Sequence, residues 1–342
     1  MAQPATAAES ASFRLQPRAG VSRLADDLVC LSCPVPFDVG FVNTYLLIGE
    51  PLTLVDTGSR LGFTIDDLEA LMSRAGHRLA DLRQVVLTHR HIDHFGLAHE
   101  VKQRSGATVV SSRVDGPLMA RWEESAREWR GDLKRHGAAF GIPEHLFEAN
   151  EQTWRFIAAS AVSVESDRLV GEGDLVEAGG RRLRVIEAPG HTEGLITLFD
   201  DADGTYLAND HVLRHITPNP DVYDYDPENL RSGLPDYVDS LLKVRDLPAR
   251  VVYPGHGHEM TDLAGRVDEI LRHHDDRAAK VLGFLGQAPA TVFGLVERVW
   301  PAIKPNDTHL AVREIIGHVV LLERDGLLRR ERDGERLVFS AR

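Results

Sequence analysis

The chain has 342 residues, 43% of them hydrophobic and 27% charged, with 29 glycines; this is the composition of an ordinary globular enzyme, which excludes a disordered or fibrous protein. At that length one large domain with a smaller companion is expected. Acidic side chains outnumber basic ones 52 to 39, for a formal charge of -13, which disfavours broad attraction to nucleic acid or to an anionic membrane surface.

In chain order, residues 1–20 read as a flexible N-terminus. The stretch 1–12 is rich in Ala, Ser and Glu and lacks the apolar core of a signal peptide or anchor. No run approaches the roughly 20 apolar residues of a membrane-spanning helix. Residues 27–33, 44–48 and 52–55 read as short strands, the last closing on Asp56-Thr57-Gly58. The two cysteines, Cys30 and Cys33, fall in the first of these; three apart on a strand, they point to opposite faces and read as buried residues. These features together predict a reducing, cytoplasmic setting. Residues 63–75 carry helical apolar spacing through Ile65, Leu68, Leu71 and Met72, and Gly76 stops the helix.

Four further apolar runs, at 84–87, 182–186, 205–207 and 250–253, each lead straight into His or Asp. Strand ends on a rigid sheet are where functional side chains are held. An insertion at 117–160 carries Trp122, Trp129, Phe140, Phe147 and Trp154 among many charges and reads as two or three helices, its aromatics packing it onto the body. A helix at 262–276 leads out of the main domain. Segments 291–300 and 308–324, with a hairpin around Asp333-Gly334, then fit a winged-helix pattern. Residues 277–342 hold eleven basic and eight acidic side chains, so the acidity resides in the body.

The chemistry concentrates in Thr88-His89-Arg90-His91-Ile92-Asp93-His94, three imidazoles and a carboxylate directly after a strand. In an extended exit, His89 and His91 point the same way, while Asp93 and His94 at the following turn address a second point, so one cluster can serve two metals. Pro189-Gly190-His191-Thr192, Ala208-Asn209-Asp210-His211 and Pro254-Gly255-His256-Gly257 supply further ligands, with glycines that let backbone approach a crowded centre.

From Asp56 to Gly257 these five pieces, in this order, resemble the metallo-β-lactamase fold superfamily, especially its glyoxalase II-like and lactonase-like hydrolases. The resemblance implies a four-layer αββα fold of class α/β: a catalytic domain over 21–262 with the helical lid at 117–160, then a linker helix and a small winged-helix-like domain over 263–342, as in the lactamase-B-like protein group. It implies two divalent metal ions, zinc first and iron or manganese as alternatives. His89, His91 and His191 would hold one, Asp93, His94 and His256 the other, with Asp210 bridging. Asp56 would stand behind the ligands and orient them. Neither cysteine falls at a ligand position, which separates the chain from β-lactamases that place one there.

On that reading the metals activate a bridging water, and Asp93 orients it and relays its proton. The expected substrate is a small-molecule ester, thioester or lactone. His211, His215, Tyr223 and Tyr225, together with Trp122 and Trp129 of the lid, are candidate pocket residues. The alternatives are a phosphodiesterase or single-strand endoribonuclease, disfavoured by the acidic body, and a metal-sensing DNA-binding regulator, disfavoured by the apolar, mixed-charge helix 308–324. No membrane partner is expected, nucleic acid is not favoured, and the apolar tail is compatible with a homodimer.

Overall fold

The computed structural model describes residues 20–149 and 151–342, with side chains described except at 148–154 and at 306. Residues 1–19 and the Trp154 ring therefore lie outside the described part.

The first sheet is laid down in sequence order: β1 (Val21–Ala25), β2 (Leu28–Pro34), β3 (Phe41–Leu47), β4 (Thr53–Val55), β5 (Gln84–Val86), β6 (Thr108–Ser112) and β7 (Arg168–Val170), antiparallel as far as β4 and parallel beyond it. The second sheet takes β8 (Leu175–Ala178), β9 (Arg181–Glu187), β10 (Ile196–Asp200) and β11 (Thr205–Asn209). A short ribbon, β12 (Val222–Asp224) and β13 (Arg231–Ser232), intervenes before β14 (Val251–Pro254) joins this sheet parallel to β11.

Strand alternation sorts the core. Leu28 and Cys30 of β2 face the second sheet, where they pack with Tyr45, Val55, Val86, Val185 and Leu198, while Val29, Leu31 and Cys33 face outward into a second cluster. Both cysteines are buried. The outer face of the first sheet is covered by α1 (Ile65–Arg74), capped by Thr64 and Asp67, and by α2 (Ile92–Phe95) and α3 (Ala98–Ser105). Among the described residues the insertion holds four helices rather than two or three: α4 (Asp115–Ala120), α5 (Trp122–His136), α6 (Glu144–Ala149) and α7 (Glu151–Ala158). The outer face of the second sheet is covered by α8 (Leu234–Val244) and by the first half of α9 (Leu263–Gln287). The result is helices, sheet, sheet, helices.

α9 runs eleven residues beyond the expected end at 276, because no proline interrupts it before Pro289 and the two glycines of its second half, Gly283 and Gly286, lie in open space near its end. It leads into α10 (Val292–Val299), α11 (Thr308–Arg324) and the hairpin of β15 (Leu328–Asp333) and β16 (Arg336–Ala341). This tail shares one hydrophobic core with Leu133, Phe140 and Ile142 of the insertion and with Val222, Tyr225 and Leu230. Backbone bonds join the two as well, Phe293 N to Phe140 O at 2.9 Å and Leu337 N to Ala139 O at 2.7 Å. Along α11, among the residues described, only Arg324 is exposed.

Arg181 ties the start of β2 to the second sheet. Its guanidinium donates to both oxygens of Asp27 at 2.7 and 2.8 Å, to Asp200 at 3.0 Å and to Asp203 at 2.9 Å. That guanidinium holds the Asp27 carboxyl below its ordinary range, and Thr205 and Arg181 together hold Asp203 low against the effect of burial. Arg181→Ala should therefore cost about 1–3 kcal/mol at neutral pH. Because the carboxyl pKa values are depressed in the folded state, that stability is present above the ordinary carboxylate range and is lost as pH falls through the folded values. Denaturant melts should show the variant and the parent converging at acid pH.

Candidate metal centre

The exits of β4, β5, β9, β11 and β14 carry the polar residues singled out in the sequence, and specific bonds draw the two sheets together there. Asn43 of β3 donates its amide to Pro254 O at 2.9 Å and to Gly257 O at 2.8 Å, and the Tyr45 hydroxyl donates to Pro254 O at 2.6 Å. The first sheet thus grips the loop that bears His256. From the other side, Ile196 N of β10 donates to Thr88 O at 3.0 Å.

Around this seam the donor atoms of His89, His91 and His191 lie within 4.8 Å of one another, as do those of Asp93, His94 and His256. Asp210 stands between the two groups: its Oδ2 is 3.4 Å from His191 Nε2, 3.4 Å from His94 Nε2 and 3.3 Å from His256 Nε2. Asp93 Oδ2 is 3.4 Å from His256 Nε2.

Bonds from behind orient the rings. Asp56, fully buried, accepts from Thr88 N at 2.9 Å, from the Thr88 hydroxyl at 2.8 Å and from His94 Nδ1 at 2.8 Å. The Thr88 oxygen in turn lies 3.0 Å from His89 Nδ1. His191 Nδ1 donates to Asn219 O at 3.0 Å and His256 Nδ1 to Phe41 O at 2.6 Å. Each of these four imidazoles thereby commits one nitrogen to the protein and turns the other inward. His91 faces His191 with Nδ1, 2.8 Å from Nε2. Backbone crowding demands the two glycines: a Cβ at Gly190, where φ is +138°, would sit 2.3 Å from Tyr237 Cβ, and one at Gly255 would sit 2.0 Å from Asp210 Oδ1.

Burial and charge act oppositely on the two groups. Burial, reinforced by neighbouring imidazoles, holds His89 and His91 well below the ordinary histidine range. Burial also opposes protonation of His94 and His256, but there the carboxylates win: Asp210, Asp56 and Asp93 lift His94 well above its ordinary value, and Asp210 and Asp93 push His256 up to about 10. Asp210 and Asp93 are themselves held low despite burial, Asp210 chiefly by His256 and His94, and Asp93 chiefly by His94 and His256. His89 Nε2, His94 Nε2 and Asp210 Oδ1 are buried without a hydrogen-bond partner. Buried imidazole nitrogens and carboxylate oxygens without hydrogen-bond partners, beside carboxylates that stay ionised, are a donor set that fits divalent cations.

The expected pocket residues fare differently. Trp122 is core, not wall: it is 2% exposed, packs 5.1 Å from the Phe95 ring and donates Nε1 to Ala158 O at 3.1 Å. With Ser125, Ala126 and Leu133 it forms the face of α5 that turns to the body, which helical spacing explains. Tyr225 is also buried, in the core shared by insertion and tail, 6.3 Å from the Phe140 ring. His211 is fully buried with Nε2 bonded to Ser240 Oγ at 2.9 Å, and Ser240 donates to Pro189 O at 2.9 Å, so His211 supports the His191 turn instead of lining a wall. His215 is exposed. Tyr223 is half-buried, its hydroxyl close to Gly233, whose own added Cβ would meet Gly190 O. Trp129 is half-buried, with the Arg90 guanidinium 4.4 Å from its ring centre.

Arg90 belongs to a network that pattern reading missed. It sits between His89 and His91, is nearly fully buried, and donates from Nη1 to Asp115 Oδ1 at 2.8 Å and from its backbone to Asp115 Oδ2 at 3.0 Å. Thr192 next to His191 donates to the same Asp115 oxygen at 2.7 Å. The other arm of Arg90 meets Asp221, which also pairs with Arg313 of α11 at 2.9 Å. Arg313 and Asn219 tie the 219–221 loop to α11, through Pro220 O at 3.3 Å and Leu310 O at 3.1 Å. The tail thus braces the loop whose carbonyl orients His191. Only the position of Arg90 inside the ligand motif hinted at this; its partners are distant in sequence.

A family model described as metallo-beta-lactamase superfamily matches residues 37–256. The chain belongs to that superfamily. Among its relatives, "Probable metallo-hydrolase YqjP" of Bacillus subtilis is 27% identical over 92% of this chain and 98% of its own length. A "Beta-lactamase-like protein 2 homolog" of Drosophila melanogaster is 25% identical over 90% of this chain and 92% of its own. Among solved structures, a metallo-beta-lactamase family protein of Thermus thermophilus is similar over 94% of this chain and all of its own, at 28% identity and a TM-score of 0.78. A beta-lactamase domain protein of Burkholderia ambifaria is similar in fold over 96% of both chains, with 24% identity and a TM-score of 0.80. Superfamily membership makes this chain a metal-dependent hydrolase. Among the described residues no helix is long and apolar enough to cross a membrane.

Substitutions at two positions probe the supports of this centre. Asp56→Ala should weaken metal binding about 10- to 100-fold, read by competition with a chromophoric chelator. Arg313→Ala should lower affinity in the same assay through the His191 side while Arg313→Lys restores part of it. Equal affinity in all three Arg313 forms would remove the tail from the account.

Proposed function

We propose that the chain hydrolyses a compact ester, thioester or lactone, using two divalent metal ions, zinc first with iron or manganese as alternatives. His89, His91 and His191 would hold one, Asp93, His94 and His256 the other, with Asp210 shared. When bound, the metal pair supplies a water that is nucleophilic at neutral pH and polarises the scissile oxygen.

The protein's own groups do the rest. Asp93, its side chain 14% exposed and its carboxyl held ionised beside His94 and His256, can orient that water and take its proton. Asp56, Asn219 O and Phe41 O keep the imidazoles from turning, so little reorganisation accompanies reaction. Trp129 and Tyr223 are the proposed wall for the acyl portion.

The observation that carries an acyl over a phosphodiester substrate is the neutralisation of Arg90 and Arg313 by Asp115 and Asp221. A nucleic-acid backbone needs a track of cations free to meet phosphates, and the arginines brought here are already spent on carboxylates. The net charge of -13 points the same way.

Purified protein reconstituted with zinc, manganese or iron should turn over members of a panel of aryl esters, acyl thioesters and lactones. Chelation should abolish the activity, and Asp93→Ala should reduce kcat by at least about 100-fold. An inactive panel alongside metal-dependent cleavage of a labelled single-stranded RNA, lost in Asp93→Ala, would replace this reading with a nuclease.

A further inference from the structure

A second set of donors lies outside the family motifs, where α9 packs against α11. His273 and His274 of α9 and Glu314 of α11 are 8%, 1% and 7% exposed, and each offers one donor atom within 4.8 Å of the other two. The two donor groups of the metal centre meet the same limit in the same structure. Neither ring nitrogen of His274 has a hydrogen-bond partner, and neither has Glu314 Oε1. Buried polar atoms of folded proteins almost always find a partner, which marks this enclosed group as a candidate site for a ligand or an ordered water.

We propose that His273, His274 and Glu314 hold a divalent cation, zinc by donor preference, which pins the C-terminal helix to the catalytic body. Two imidazoles and one carboxylate, with a water as fourth ligand, are an ordinary zinc donor set. The surroundings fit the role. Arg277 stacks over Trp300, 4.6 Å from the ring centre, and its Nε is 3.9 Å from Glu314 Oε1, so it steadies the carboxylate without occupying it. Burial pushes the Glu314 carboxyl up and, with His318, His273 and Arg277 adding to it, the His274 imidazole well down. The imidazole is thus held in its neutral, metal-binding form. Tyr237 of α8 stands edge-on 5.8 Å from His274, and its hydroxyl donates to His211 O at 2.8 Å, so the site abuts the layer that supports the His191 turn.

This inference needs no turnover and stands or falls apart from the hydrolase reading. Crystals of the full chain soaked in zinc should give an anomalous peak about 2.0–2.2 Å from His273, His274 and Glu314, separate from any peak at the Thr88 loop. Water-like density without anomalous signal there would overturn the proposal and leave the hydrolase reading untouched. Elemental analysis gives an independent measure: the chain stripped with chelator and refilled should hold about one equivalent more zinc than a His274→Leu/Glu314→Gln double variant, and its Tm should fall more on chelation. Equal zinc content in the two proteins would also overturn it. The crystal experiment uses no substitution, so the question is answered even if the double variant does not fold.

Discussion

One buried carboxylate holds the centre together. Asp56 leaves β4 with φ at +60°, in the left-handed region that aspartate tolerates better than most residues, and it spends its oxygens on the backbone and hydroxyl of Thr88 and on His94. The parallel register of β4 on β5, Val55 against Val86, brings it level with the Thr88 loop. A one-residue slip would point its side chain to the other face and leave a charge stranded among apolar side chains. Sheet register thereby becomes ligand geometry: the hydrogen bonds that satisfy Asp56 fix His94 directly and His89 through Thr88.

The second sheet is matched to that point by contacts across the sandwich rather than along either sheet. Asn43 and Tyr45 seize the carbonyls around Pro254, and the tightness of the join shows in Gly255, which has no room for a side chain beside Asp210. Asn209 takes φ of +43° to deliver Asp210, a further place where backbone strain sits next to the chemistry. The centre therefore lies on a seam, with each sheet contributing part of each donor group.

The tail is continuous with this arrangement. Its core includes residues of the insertion and of the 222–230 segment, and Arg313 and the Leu310 carbonyl reach the loop behind His191. A winged-helix pattern read from sequence invites thought of an independent module with a free recognition helix. In the folded protein α11 is enclosed on most sides: Ala311, Val312, Ile315, Ile316, Val319 and Leu322 form one apolar stripe, and Glu314, Gly317, His318 and Leu321 outside it are buried as well.

The ligand motifs, the strand-then-loop rhythm and the layered fold were legible in the sequence because they are local: a strand has period two, a helix start has its cap, and the Thr88 cluster packs its donors into seven consecutive residues. Strand alternation also placed Cys30 and Cys33 on opposite faces, both buried. The walls were not legible. His211 and Tyr225 follow Asp210 closely in sequence and Trp122 lies in the insertion, yet helix phase and the shared core turn them inward, and position along the chain carries no information about direction. Equally hidden were Asp115, Asp221 and Arg313, and the His273, His274 and Glu314 group, since each joins residues tens of positions apart. The sequence by itself thus determined which donors exist and which strands deliver them. Only the tertiary structure decided which of them share a point, because that depends on how two sheets and a tail close on one another.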